Sequence, residues 1–182
     1  MERSRLSTMP REAELLDPVS VWIHDQYGAQ RTLLTYAEPQ GRGGRRPDLL
    51  AVFANYHEES VDSTTVVPVE IERSSKGALH DSRNGLSQLR KYPGHAKYLA
   101  LPRTVANRWE ARDVPKRCRV QGVGYLVVDL PGGEVSCEVE PVWTQPSHGL
   151  RYYPKAMERW IALRKSGDTY RRVEGGRIVD SA

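Results

Sequence analysis

The chain has 182 residues, 38% apolar and 27% charged, with 27 Lys and Arg against 23 Asp and Glu for a formal net charge of +4. That length and balance fit one globular domain with a real core and exclude a disordered chain. No apolar run approaches the ~20 residues that span a bilayer, and no signal-peptide pattern opens the chain.

Cys118 and Cys137 are the two cysteines and match no metal-ligand spacing. The expected setting is therefore reducing and cytoplasmic, with no membrane partner. The basic excess suits a nucleic-acid partner without establishing one.

Residues 1 to 8 are polar, and Met9 to Leu16 offers a helical turn or two. Asp17-Pro18 reads as a helix start, an N-cap followed by proline at the first helical position. Val19, Trp22, Ile23 and Tyr27 then share one face, and Gly28 ends the helix. Arg31 to Tyr36 reads as a strand, and Pro39 to Arg46 as a turn rich in glycine and arginine. Leu49 to Phe53 and Val66 to Ile71 read as strands joined by a short polar connection, hence an antiparallel hairpin. Pro68 inside the second strand predicts an edge, a bulge, or an unneeded donor.

A helix is expected from Ala78 to Tyr92, stopped by Pro93-Gly94. Lys97 to Leu101 reads as a strand, Val105 to Arg112 as a charged helix, and Val123 to Leu130 as a buried strand paired with Val135 to Val142. Lys155 to Lys165 is an amphipathic helix with Met157, Trp160, Ile161 and Leu163 available for packing. Tyr170 to Val173 and Arg177 to Val179 flank a Gly-Gly turn as a small hairpin. The order predicts an α/β fold around a mixed sheet, with residues 1–140 as the main domain and 141–182 as a basic extension packed on it.

Side chains alternate along a strand, so Val67, Val69 and Ile71 face one way and Glu70 and Glu72 the other. Asp48 opens the neighbouring strand, and antiparallel pairing brings it to the same end of the sheet as Glu70. Side-by-side carboxylates are costly unless a cation lies between them. Asp48, Glu70 and Glu72 together, with the Ile71 carbonyl, suit one or two Mg²⁺ ions, or Mn²⁺ in their place, since hard cations take oxygen ligands. The same spacing suits a solvated strand end with arginine partners, and spacing alone does not choose. Asn84, Gln88 and Tyr92 form a polar stripe that could orient water or phosphate, or be an ordinary exposed face. Arg45 and Arg46, in the glycine-rich turn beside Asp48, are candidate phosphate contacts or plain surface charge. In the basic tail, Trp160 and a tyrosine are expected to pack on the core, with the arginines left open.

Pro47-Asp48, then Glu70-Ile71-Glu72 at a strand end, then Gln88-Leu89-Arg90-Lys91-Tyr92 resemble the PD-(D/E)XK nuclease superfamily, nearest to its RecB-like members with a Gln-x-x-x-Tyr motif. The resemblance covers roughly residues 17 to 130. It implies a restriction-endonuclease-like core and a metal-dependent phosphodiesterase acting on DNA, whether alone, as a homodimer or within a larger assembly. It makes Asp48 and Glu70 metal ligands, and Gln88 and Tyr92 supports of the site or contacts to the nucleic-acid backbone. The family's lysine, two residues after the acid, is here Glu72. Some restriction enzymes of the superfamily carry glutamate there. Three outcomes follow: Glu72 takes part in two-metal catalysis, Lys76 supplies the displaced amine, or the site is silent and the chain is a binding or assembly module. Glu38, and Glu12 or Glu14, are further candidate acids, and His80, about two turns before Gln88, could approach the site.

Overall fold

The computed structural model describes residues 10–39, 41, 44, 46–80, 82 and 85–181. Eight strands form one mixed sheet in the order β6-β5-β4-β3-β2-β1-β7-β8. In chain order these are β1 Arg31–Ala37, β2 Leu49–Asn55, β3 Thr65–Ile71, β4 Tyr98–Pro102, β5 Gly124–Asp129, β6 Glu134–Val139, β7 Tyr170–Glu174 and β8 Arg177–Ser181. The helices are α1 Glu12–Tyr27, α2 Ser75–His80, α3 Gly85–Leu89, α4 Arg103–Ala106, α5 Val114–Gln121 and α6 Pro154–Ser166. The chain is thus α/β, with helices on both faces of the sheet. None of the described helices is long and apolar enough to cross a membrane.

The β1–β2–β3 segment is an antiparallel meander, β3, β4 and β5 run parallel, and β6 returns antiparallel. β7 joins the far side of β1 in parallel and β8 pairs back on β7. The C-terminal residues therefore widen the same sheet.

One face packs beneath α1, with Leu15, Val19 and Ile23 against Leu49, Ala51, Phe53, Val67, Val69 and Ile71. The other face carries two clusters. Leu99, Leu101, Tyr125 and Val127 pack with α3 and α5, while Leu34, Leu50, Val52 and Val66 pack with Tyr153, Trp160 and Leu163 of the tail. Trp160 and Tyr153 are core residues, as the sequence predicts, whereas Ile161 stays exposed.

Four expectations need correction. α1 begins at Glu12 and holds Pro18 in its interior. The Glu14 carboxylate accepts the Arg11 amide at 2.7 Å, so the cap lies a turn and a half before Asp17-Pro18. The single helix expected from Ala78 to Tyr92 is two short ones. Gly85 takes a left-handed φ of +60°, and a Cβ there would stand 2.6 Å from the Ala78 carbonyl oxygen. Val105 to Arg112 holds only the end of α4 and a 3₁₀ turn at Trp109–Ala111, and α5 follows where no helix was expected.

Pro68 lies in a central strand, opposite Leu50 of β2. Val66, two residues earlier, directs both its amide and its carbonyl toward His95, on the side away from β2. The donor that Pro68 lacks would point the same way, where β4 has not yet begun pairing. Gly94 fills that place, and a Cβ on it would stand 2.4 Å from the Pro68 ring. The proline is accommodated because its missing donor has no ladder partner to lose.

Candidate active site

The β2–β3 register pairs Leu49 with Val69 and Leu50 with Pro68. Continued one residue outward, it sets Asp48 opposite Glu70. Both then share the sheet face of Leu50 and Val66, opposite the α1 face. Asp48 is partly buried and Glu70 only 4% exposed, so two acids meet in an environment that disfavours charge.

Hydrogen bonds fix both. Asp48 Oδ2 accepts the Ile71 amide at 2.6 Å. The N–H and C=O of one strand residue point to the same side, so the Ile71 carbonyl also opens toward Asp48. Glu70 is bonded by the Gly85 amide and by the Tyr92 hydroxyl, and the close approach of Gly85 to α2 is what brings that amide in. The Tyr92 hydroxyl donates its one hydrogen to the Arg46 carbonyl at 2.9 Å. Two buried oxygens, Glu70 Oε1 and, on α3, Gln88 Oε1, have no hydrogen-bond partner among the described residues.

Burial pushes the Asp48 carboxyl up to about 7, opposed by the Ile71 amide and reinforced by Glu12 and Glu38. Burial, then the charges of Asp48 and Glu72, push Glu70 up to about 9. Near neutral pH the structure thus favours a proton on Glu70. That proton also resolves the Tyr92 hydroxyl, which has one hydrogen and two neighbouring oxygens. A protonated Glu70 donates to Tyr92, and Tyr92 donates to Arg46.

Glu72 lies just past the strand. Its amide continues the ladder to Ala100 at 3.0 Å, and its side chain is 6% exposed. A Cβ on Gly77 would stand 2.3 Å from Glu72 Oε2, so glycine at the start of α2 makes room for this carboxylate. Lys76 is exposed on α2, and Arg73 pairs with Glu12 at 3.4 Å. Glu38 is exposed, with its amide on the Asp48 carbonyl at 3.0 Å. Glu14 belongs to the α1 cap, and His80 is exposed at the end of α2.

Gln88 and Tyr92 do not share a helix, because α3 ends at Leu89 and Tyr92 follows in a turn held by the Lys91 amide on the Gln88 carbonyl. Arg46 is exposed, while Arg45 and Asn84 lie outside the described residues. Three arginines of the tail bond within the protein. Arg151 pairs with Asp62 at 2.7 Å, Arg159 donates to the Gly176 carbonyl, and Arg164 donates to Thr32 and to the Tyr56 carbonyl.

Sequence reasoning missed Gly77 and Gly85. Both act by letting distant backbone or side-chain atoms come close, and their local sequence carries no sign of it. Among the described residues, no group of three or more His, Cys, Asp or Glu is disposed to hold a metal ion. Any cation here would take two carboxylates and complete its shell with neutral oxygens. Asp48, Glu70, the Ile71 carbonyl and the unpartnered Gln88 Oε1 are oxygen donors of the kind that Mg²⁺ and Mn²⁺ accept. No protein-family model matches the chain, and no curated protein matches it.

Proposed function

We propose that this chain is a divalent-metal-dependent nuclease that hydrolyses phosphodiester bonds, in DNA first of all, on a restriction-endonuclease-like core. The observation that carries the proposal is the buried Asp48–Glu70 pair, with Glu70 Oε1 lacking any partner. An unpartnered buried carboxylate oxygen is costly, and a buried acid whose proton affinity burial and the neighbouring Asp48 both raise is poised to trade a proton for a cation. The order of elements around the pair, with α1, three antiparallel strands, a helical segment and a parallel strand, supports the same proposal.

Asp48 and Glu70 would hold Mg²⁺ or Mn²⁺, helped by the Ile71 carbonyl and Gln88. Such a metal polarises a phosphoryl oxygen and lowers the pKa of bound water. Tyr92 positions Glu70 and anchors the Arg46 backbone to the site. Arg46 offers its guanidinium to a phosphate. Glu72 occupies the place where a lysine would stand in the superfamily this sequence resembles.

A second proposal, a silent nucleic-acid-binding module, draws on one feature: Glu72 is buried while Lys76 is exposed. Cleavage of labelled single- and double-stranded DNA with Mg²⁺ or Mn²⁺ separates the two. Metal-dependent cutting that drops to background in both Asp48→Ala and Glu70→Ala establishes the nuclease. Glu72→Ala and Lys76→Ala then show which side chain replaces the lysine. No cutting on either substrate leaves the binding module.

A further inference from the structure

Beside Tyr92 lies an open groove of about 320 Å³, lined by Arg90, Lys91, Lys97, His148, Tyr92 and Tyr152 among others. It contains no Asp or Glu. The groove lined by Arg46 differs, since Glu38 and Glu158 line it together with Arg46, Lys155 and Arg159. Net charge therefore concentrates in the groove beside Tyr92.

The cations there are held in different ways. Lys97 Nζ donates to the Leu89 carbonyl at 2.7 Å, which neutralises the end of α3 and fixes the groove floor. Arg90 and Lys91 are exposed and make no ion pair with any described residue. Arg151, Arg159 and Arg164 of the tail are bonded within the protein, whereas this pair faces solvent. On the opposite wall, the Thr144 hydroxyl bonds the Gly94 carbonyl at 3.2 Å, and the Tyr153 hydroxyl bonds the Pro93 carbonyl at 3.0 Å. Tyr152 packs edge-on to Tyr153, so its ring is held at the rim. Tyr92 ties the groove to the acid pair, because its ring lines the groove and its hydroxyl bonds Glu70.

We propose that this groove binds the sugar-phosphate backbone of a single-stranded nucleic acid and leads the strand to the Asp48–Glu70 site. The unpaired cations Arg90 and Lys91 meet phosphates, and Tyr152 offers a ring for a base to stack on. Cations with interleaved aromatics are the composition that single strands need. The destination of the strand rests on the nuclease proposal, while the binding itself does not.

The test is fluorescence anisotropy in EDTA with a labelled single-stranded oligonucleotide and its duplex. The full chain is compared with Arg90→Ala/Lys91→Ala, with the equally charged control Lys116→Ala/Arg117→Ala on α5, and with Asp48→Ala. Single-strand affinity is expected to fall tenfold or more in the first double variant and less than twofold in the control. The dependence of log K on log salt is expected to flatten by about 0.7 for each phosphate that no longer meets a cation. Asp48→Ala, which removes a negative charge at the site the strand is led to, is expected to bind at least as tightly as wild type. Absent single-strand binding by wild type, equal losses in the two double variants, or tighter binding of the duplex than of the single strand each overturn the proposal. Strand binding that depends on Arg90 and Lys91 without any cleavage keeps the groove and removes the nuclease. Cleavage that ignores the Arg90/Lys91 change does the reverse.

Discussion

The two faces of β3 offer the sharpest contrast in the molecule. On one, Val67, Val69 and Ile71 pack beneath α1 with the apolar residues of β1 and β2. On the other, two residues of the same strand end are glutamates, also buried, and they face another acid across the sheet. The first face gains stability from burial in the ordinary way. The second gives stability up, because removing carboxylates from water raises their proton affinity and leaves an oxygen unpartnered. At the end of two central strands the fold thus keeps buried acids on backbone that the sheet ladders hold in place. That is the arrangement a positioned catalytic site needs.

The contrast can be broken from the apolar side. Leu49 is 1% exposed in the α1 cluster, so Leu49→Ala is expected to cost roughly 3 kcal/mol in urea unfolding. Its metal affinity, measured where the variant remains folded, is expected to match wild type. A large loss of affinity in the folded variant would mean that the two faces are not separable.

From the acidic side the sign reverses. Glu70 has a folded-state pKa of about 9 against an ordinary 4.5, and Asp48 about 7 against 3.8. Between the ordinary and the raised values the native chain holds more protons than the unfolded one. Stability from this pair is therefore fully present below about pH 4, falls as pH rises through 7 and 9, and then levels off. Glu70→Gln removes most of that slope and is expected to stabilise the metal-free protein at pH 9 by on the order of 2 kcal/mol. Urea melts across pH 5 to 9 check both, and a wild-type slope matching that of the variant would mean that Glu70 holds no extra proton in the native chain.

A smaller effect is expected at the junction. Tyr92→Phe removes the hydroxyl that links Glu70 to the Arg46 carbonyl, costing about 1 kcal/mol of stability in the same urea melts. Under the nuclease proposal, cleavage is expected to fall more than stability does, because Glu70 loses one of the bonds that aim it.

Much of this contrast is legible in the sequence. The strands announce themselves through β-branched runs, and period-two alternation already separates Val67, Val69 and Ile71 from Glu70 and Glu72. Asp48 reaches Glu70 by simple counting across a short hairpin. What stays hidden depends on distant approach or on competing local signals. Asp17-Pro18 imitates a helix start, yet Glu14 caps the chain earlier. Val114-Pro115-Lys116-Arg117-Cys118-Arg119-Val120-Gln121 buries only Val114 and Cys118, too thin an apolar stripe to mark α5, although Pro115 and the left-handed Gly122 bracket it. Gly85 breaks the expected helix because its backbone lies against Ala78, a fact of tertiary packing. The break is also what delivers its amide to Glu70, so the least legible element is the one that completes the site.

The most direct measurement is calorimetric titration of the metal-free chain with Mn²⁺ at pH 8 in two buffers of different ionisation enthalpy. Binding is expected to release protons, because the cation displaces the one held on Glu70, and it is expected to be lost in both Asp48→Asn and Glu70→Gln. Binding without proton release, or unchanged in both variants, would contradict the assignment of the metal to this pair.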